Sequence, residues 1–521
     1  MDNFYVTTPI YYINAEPHLG HTYTTIIADT LARFHRARGA RTFLVTGTDE
    51  HGDKIAAAAA AAGVSPQAYA DRISPLFRDT WDACGLGIDH FVRTSDAAHV
   101  RVVQDFLSRV HANGDIYFSR YGGLYCTGCE RFLTEKELVD GKCPDHHTAP
   151  TLIEEDNYFF RMSAYLDRLV AYFEAHPESI TPERYRNEVM AMLRSGALGD
   201  LCISRPKSRL EWGIELPFDR NYVTYVWFDA LISYVSALTV HGEATFDRFW
   251  PVAHHVMAKD ILKPHAVFWP TMLMALGLPL FKRLVVHGYW LRGESKMSKS
   301  LGNVIRPLDM KARYGIDALR YFLLREMAFG QDAVFSEDAF VTRVNADLAN
   351  NLGNLVSRAL SMQQRYFGGA VQPLDELTED DRELVAAFEA AYAAVPRLTE
   401  ELAFHRALEM LWRAIDHANK YVVVTAPFTL AKDPAQRPRV GAILHHLLEA
   451  LRATALLLDW SLPATSRQIL QLLRLAPEPT LPATLAWGTH FVPGHQVEKP
   501  VVLFPRIETD AAATVGVQRG A

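Results

Sequence analysis

Two short stretches carry residues whose types and spacing could do phosphate chemistry. Lys296-Met297-Ser298-Lys299-Ser300 places two lysines and two serines in five residues, a compact cationic, donor-rich loop suited to a polyphosphate. Far upstream, His18-Leu19-Gly20-His21 sets two imidazoles three residues apart, just after an apolar stretch that reads as a strand. If this segment opens a helix, His18 and His21 share one face near a terminus that already favours anions. Two separate phosphate grips suggest an enzyme that holds ATP at both ends of one cleft. A Lys/Ser-rich stretch is usually a solvated loop, and a histidine pair usually belongs to surface or core. The two motifs nevertheless stand in the order and context that a phosphate-gripping enzyme needs.

A third constellation concerns metal. Cys126-x2-Cys129 is followed, thirteen intervening residues later, by Cys143-x2-His146. Four soft or borderline ligands in two paired knuckles match a closed, tetrahedral structural zinc site. A redox pair at Cys126 and Cys129 is the alternative, and it leaves Cys143 and its partner unexplained. His147 is adjacent and could stand in for His146; the spacing favours His146. Cys84 and Cys202 are isolated and read as small buried hydrophobes. With every position filled by protein, such a metal shapes the chain and does not activate water.

These motifs need elements to position them. Phe4-Tyr5-Val6-Thr7-Thr8 is β-branched and aromatic, hence strand-like, with Pro9 expected to close it. Residues 22–38 read as a helix stopped by Gly39, and residues 42–46 as the next strand. Strand, helix, strand implies a parallel, doubly wound sheet, with Asp49-Glu50-His51-Gly52 at the carboxyl end where such sheets bind ligands. The alanine-rich residues 56–62 read as plain helix. Glycines, cysteines and histidines interrupt the α/β pattern from about Asp115 to Asn221, which reads as an insertion. The strand-like residues 283–287 then return to the sheet just before the Lys/Ser loop. Residues 345–462 are helical in pattern, residues 475–482 form a proline-rich break, and a short tail follows.

Composition sets the limits. At 521 residues and 49% hydrophobic content the chain has room for three or four domains with sizeable cores. The amino terminus carries no cationic region before its first strand, so no signal peptide is expected. No apolar run approaches the ~18 residues of a bilayer span. Five cysteines in so long a chain argue against a disulfide scaffold and for reducing cytosol. A formal charge of −7 argues against wholesale nucleic-acid coating, though not against a local RNA groove.

The HLGH and KMSKS stretches resemble the two marker motifs of class I aminoacyl-tRNA synthetases, and the surrounding residues resemble the methionyl family, from about Tyr5 to Glu508. The resemblance implies a fold of the α/β class: a Rossmann-like catalytic domain (1–114 and 221–295) with a zinc-knuckle insertion (115–220). A KMSKS and stem-contact region (296–344), an α-helical anticodon-binding bundle (345–462) and a tail packing back on the body (463–521) follow. It implies methionine–tRNA ligase activity, with His18, His21, Lys296 and Lys299 catalytic. Gly20, Asp260 and Ser298 join them in holding ATP. Two further features narrow the amino acid within this family. The insertion is too short for the editing domain that the Leu, Ile and Val enzymes need, because one methylene gives only ~1–3 kcal/mol of discrimination. Residues 4–12 also lack the metal-binding cysteine of the cysteine enzyme.

By resemblance, Pro9, Ile10, Tyr12, Trp227, Ala230, Tyr234, Ile261, His265 and Trp269 enclose the thioether, where sulfur packs well on aromatic edges. Asp49 holds the substrate ammonium, with Arg205 its partner arginine. The family's zinc knuckle agrees with Cys126, Cys129, Cys143 and His146, and Mg²⁺ arrives with ATP. Asn354 and Arg358, four apart on one helix face, resemble the anticodon-reading segment. Phe428 stands where the family usually has a Trp, keeping a stacking face without the indole donor. The implied partners are ATP, L-methionine and tRNA(Met), with no membrane. The extra oligonucleotide-binding barrel of some relatives, which can dimerise, is not found, so a monomer is expected, and the cysteine usage makes the expected compartment cytoplasmic.

Overall fold

The computed structural model describes residues 2–14, 16–126, 131–133, 135, 138–144, 148–293, 295–296 and 304–508. The chain divides into two compact units, Met1–Trp290 with Met297–Lys311 and Gly330–Asp332, and Leu291–Lys296 with Ala312–Phe329 and Ala333–Ala521.

The first unit opens with β1 (Asn3–Tyr12), α1 (Leu19–Ala37), β2 (Arg41–Asp49) and β3 (His90–Arg93). There follow β4 (Ile116–Cys126), β5 (Arg131–Leu133), β6 (Thr151–Phe160), β7 (Ile180–Thr181), β8 (Leu201–Cys202), β9 (Ser204–Pro206), β10 (Glu215–Leu216) and β11 (Asp219–Thr224). Then β12 (Ala253–Ala258) and β13 (Arg283–His287) complete it. Six of these form a parallel sheet in the order β3-β2-β1-β12-β13-β7. The chain therefore starts at the centre, winds outward through β2 and β3, and returns to the other side of β1. Apolar runs such as Phe4-Tyr5-Val6 and Leu284-Val285-Val286 are buried, as strands covered on both faces require. At Gly47 a Cβ would lie 2.1 Å from the Val92 carbonyl oxygen, so β2 and β3 meet there only because the side chain is missing.

Three expectations need correction. Pro9 does not close β1; the strand runs on to Tyr12, and its register against β2 shifts between Thr7 and Ile10. Lacking an N–H, proline is tolerated at such an irregularity. Helix α1 begins at Leu19 and not at residue 22, because His18 caps it. The span 115–220 does build a separate antiparallel sheet, β5-β4-β6-β8, but β7 inside it leaves to become the edge of the main sheet beside β13.

The second unit is mainly helical, with long helices Asn354–Phe367, Glu379–Glu400, Phe404–Thr425 and Arg437–Leu458. Thr378 and Asp381 form a reciprocal capping box at the start of the second, and Gly368 ends the first in the left-handed conformation at φ 59°. The segment Pro434–Leu458 is long and apolar enough to cross a bilayer by length and composition, contrary to the sequence expectation, yet its apolar window is wholly buried within the protein. It carries His445, His446, Glu449 and Arg452, and the last two pair at 2.9 Å. These polar residues break the unbroken apolar run that the sequence reading sought. It is a core helix.

Candidate active site

Outward winding from a central strand creates a crevice at the carboxyl ends of β1 and β12, the place where open α/β sheets bind ligands. The expected site residues gather at these strand ends. Ile10 and Tyr12 end β1, Asp49 ends β2 opposite Tyr12, and Asp260 and Ile261 form the turn that follows β12. Pro9, at the irregularity in β1, belongs to the same edge.

The loop after β1 enters α1 through His18, whose backbone is extended at φ −130°. The His18 Nδ1 accepts from the Gly20 N–H at 3.1 Å, and the His21 Nδ1 accepts from the His18 N–H at 3.3 Å. The two rings stack with centroids 3.7 Å apart. A nitrogen that accepts carries no proton, so each imidazole holds its proton on Nε2. The backbone of the helix terminus thus fixes the tautomer of two stacked imidazoles. A Cβ at Gly20 would lie 3.0 Å from the His18 ring, a contact tight enough that the ring would have to give by a few tenths of an ångström. The Leu19 N–H donates to the Ile305 carbonyl at 2.9 Å, and Arg306 pairs with Glu16 at 3.4 Å. The chain leaving the Lys/Ser loop is therefore fastened to the histidine segment.

Beside the crevice lies an aromatic cluster. Tyr234 donates its hydroxyl to His265 Nε2 at 2.7 Å, while His265 Nδ1 donates to the Ile261 carbonyl at 2.8 Å. Trp227 meets the His265 ring edge-on at 6.1 Å, and Trp269 meets Tyr234 at the same distance. Trp269 is fully buried and donates its indole N–H to His255 Nε2 at 3.3 Å. Asp49 is buried close enough to raise the Tyr234 pKa after burial and Tyr11 have done so. Ala230 is buried on the helix Val226–Ala230. Arg205 is buried with its guanidinium 4.9 Å over Tyr225 and 5.2 Å over Tyr125, and Nη1 donates to the Ser204 carbonyl at 2.7 Å.

Burial pushes the pKa of His265 and of His287 down from 6.5 to about 4, so both rings are neutral near pH 7. His287 Nδ1 donates to the Gly288 carbonyl at 2.7 Å, and its Nε2 accepts from the Thr24 hydroxyl at 2.8 Å. Because the folded values lie below the unfolded one, the unfolded chain binds protons first as pH falls. The stability these rings contribute is complete above about pH 6.5 and is lost as pH drops towards 4. Scanning calorimetry should show Tm falling across that window, and falling less steeply in His287→Gln.

Little in the sequence points to a polar system that joins the end of β2 to the helix Val226–Ala230. Glu50 is buried and held by Nε and Nη2 of Arg93, at 2.8 and 3.0 Å, with Thr48 and Ser95 donating as well. Next to it, His51 reaches Asp229, and Asp229 reaches His99. The stretch Asp49-Glu50-His51-Gly52 was the available signal; Arg93 and Asp229, its charged partners, lie 43 and 178 residues away in sequence.

Cys126 and Cys143 are buried together around Leu133, and the Cys143 N–H donates to the Thr148 carbonyl at 2.9 Å. Two thiols gathered in a small cluster of their own suit a shared soft metal. Cys129 and His146 lie outside the described residues, and among the described residues no three His, Cys, Asp or Glu side chains form a metal-binding group. Cys202 is buried, which raises its thiol pKa. Lys296 closes a two-residue strand paired with Leu291, while Ser298 and Lys299 fall outside the described residues. In the helical unit Asn354 is exposed and donates to the Asn350 carbonyl at 2.7 Å, Arg358 is half-buried on the same helix, and Phe428 is 48% exposed.

The family described as tRNA synthetases class I (M) matches residues 4–151 and 146–360, and the anticodon binding domain of methionyl tRNA ligase matches residues 373–518. The methionine–tRNA ligase of Caldanaerobacter subterraneus is 43% identical, over 97% of this chain and 79% of the relative. That of Deinococcus radiodurans is 44% identical, over 98% and 75%. The Mycobacterium tuberculosis methionyl-tRNA synthetase in complex with methionyl-adenylate superposes with a TM-score of 0.92 at 41% identity, covering 97% of this chain and all of that one. The chain belongs to the methionyl-tRNA synthetases of class I, with a catalytic domain followed by a helical anticodon-binding domain.

Proposed function

We infer that the chain is a methionine–tRNA ligase. It joins L-methionine to ATP, giving methionyl-adenylate and pyrophosphate, and then passes the methionyl group to the 3′-terminal adenosine of tRNA(Met). The observation that carries the reading is the pair of stacked imidazoles at the start of α1, each with Nδ1 accepting from a backbone N–H of the helix terminus.

The methionine carboxylate is ionised at neutral pH, so activation needs no general base. One carboxylate oxygen attacks the α-phosphorus, the bond to the β-phosphate bridging oxygen breaks, and pyrophosphate leaves with that electron pair. The demand on the protein is in-line placement and neutralisation of oxyanion charge. His18 and His21 donate Nε2–H to phosphate oxygens, and Gly20 leaves space beside them. Lys296, Ser298 and Lys299 take the β/γ end, with the Mg²⁺ that accompanies ATP, and Asp260 the ribose. The anchoring of Leu19 on Ile305 supports this convergence, because six residues from Lys299 to Ile305 reach at most ~20 Å when extended. Asp49 pairs with the substrate ammonium, helped by Arg205. Pro9, Ile10, Tyr12, Trp227, Ala230, Tyr234, Ile261, His265 and Trp269 enclose the thioether, and the neutral His265 adds no charge to an apolar pocket.

Cys126, Cys129, Cys143 and His146 would hold one structural Zn²⁺, which supplies cross-linking of the knuckle and no chemistry. Cys126→Ser should lower bound zinc below one per chain and reduce Tm; unchanged stoichiometry by elemental analysis would refute the ligand set. Asn354, Arg358 and Phe428 contact the anticodon of tRNA(Met). The chain acts as a cytoplasmic monomer, which light scattering checks for the oligomeric state.

Amino-acid-dependent ATP–pyrophosphate exchange tests the reading, run in parallel with Met, Cys, Leu and Ile. Methionine should drive exchange far above the others. Exchange driven best by cysteine would overturn the substrate, and exchange with none would overturn the enzyme.

A further inference from the structure

We propose that a buried His51–Asp229–His99 chain is the device that holds the two halves of the methionine site in register. It rests on the assignment of Asp49, Trp227, Ala230 and Tyr234 to that site. Asp229 is fully buried, and both its oxygens are engaged: Oδ2 lies 2.6 Å from His51 Nδ1 and Oδ1 lies 2.7 Å from His99 Nε2. A carboxylate only accepts, so both ring nitrogens donate to it. Burial alone would push the Asp229 pKa up; the two imidazoles more than offset this and hold it below its ordinary value.

Each member of this chain sits next to residues of the site. His51 follows Asp49 by two residues where β2 ends. Asp229 lies on the helix Val226–Ala230, between Trp227 and Ala230. His99 comes from the helix Ala97–Ala112, and its Nδ1 meets Ser236 Oγ at 2.7 Å on the helix Ser233–Thr239, which also carries Tyr234. One carboxylate thus ties together the strand end that presents the ammonium-binding group and two helices that present the thioether wall. Further support holds the strand end, where the Trp212 indole N–H donates to the Glu50 carbonyl and its ring lies 5.1 Å from His51.

The three side chains are positioning residues; their effect on substrate passes through Asp49, Trp227 and Tyr234. The distances involved leave little slack, and misplacement of reacting groups by about 1 Å can cost on the order of a hundredfold. A network that only stabilised the fold would lower Tm and leave the affinity of the folded enzyme for methionine alone.

The test is exchange kinetics on folded protein at low temperature, with Tm measured beside it. Asp229→Asn replaces one acceptor oxygen by an amide donor that opposes an N–H, and should raise the methionine KM at least tenfold while the ATP KM stays within threefold. His51→Leu should do the same. His51→Asn, whose amide nitrogen takes the place of Nδ1, should restore methionine KM to within threefold of the unaltered chain. If Asp229→Asn does not fold, the two His51 variants decide. A methionine KM within twofold of the unaltered chain in His51→Leu, whatever its Tm, would overturn the proposal. Absence of methionine-dependent exchange in the unaltered chain would instead defeat the ligase reading, so the two failures are distinct.

Discussion

His21→Ala should slow methionine-dependent pyrophosphate exchange by about a hundred- to a thousandfold, the usual cost of deleting one preorganised donor to a developing oxyanion. The substitution removes the Nε2–H proposed to meet the phosphate and also removes the Nδ1 that accepts from the His18 N–H at 3.3 Å. The second loss loosens a helix cap and costs about 1 kcal/mol of stability. Two measurements separate these effects. Methionine binding without ATP, followed by calorimetry, should change by less than about threefold, because Asp49 and the aromatic residues proposed to bind methionine are untouched. His21→Gln, which can place an N–H near Nε2 but stacks less well on His18, should recover part of the rate. Equal loss of rate in Ala and Gln variants, with Tm lowered alike, would mean that the imidazole serves only the helix.

The second large effect belongs to Asp49. It is buried at the end of β2 beside Tyr12, so an ammonium brought there is out of water and depends on the carboxylate. Truncating one side of such a desolvated charge pair commonly costs 2–5 kcal/mol, so Asp49→Asn should raise the methionine Kd by about a hundredfold. The isosteric change keeps shape and leaves the thioether pocket alone. The deaminated analogue 4-(methylthio)butanoate should therefore bind the unaltered chain and the variant equally. If the variant loses affinity for methionine and for the analogue in the same proportion, Asp49 shapes the pocket and does not pair with the ammonium.

Local signals in the sequence carried much of the fold. Residues 283–287 form β13 as expected, because the apolar run Leu284-Val285-Val286 is too short for a helix and Gly288 follows it closely. Gly39 follows the end of α1 at φ 84°, as a glycine past a helix should. What failed had non-local causes. Pro9 reads as a strand stop, but the sheet absorbs it at a register shift, and no local rule announces which strand will do so. The two-residue β7 is too short to show in any pattern and gains its place only by pairing with β13.

The candidate site divides along the same line. Its contiguous motifs were visible, including the prospect that His18 and His21 share a helix start. The tautomers of those rings became visible only once the backbone N–H partners were known. Asp229 lies within the apolar stretch Trp227 to Ala230, where nothing local marks its role. Its partners His51 and His99 lie 178 and 130 residues away, a separation that only the folded sheet brings together.

The central claim is that histidines from the start of the chain and lysines from its middle grip one triphosphate. A crystal structure with methionine and a non-hydrolysable ATP analogue tests it most directly. The account expects the phosphates within hydrogen-bonding distance of the Nε2 atoms of His18 and His21, with the Lys299 ammonium on the β/γ end of the same nucleotide. A nucleotide bound with its phosphates away from both imidazoles, or gripped by them with Lys299 turned to another surface, would contradict it.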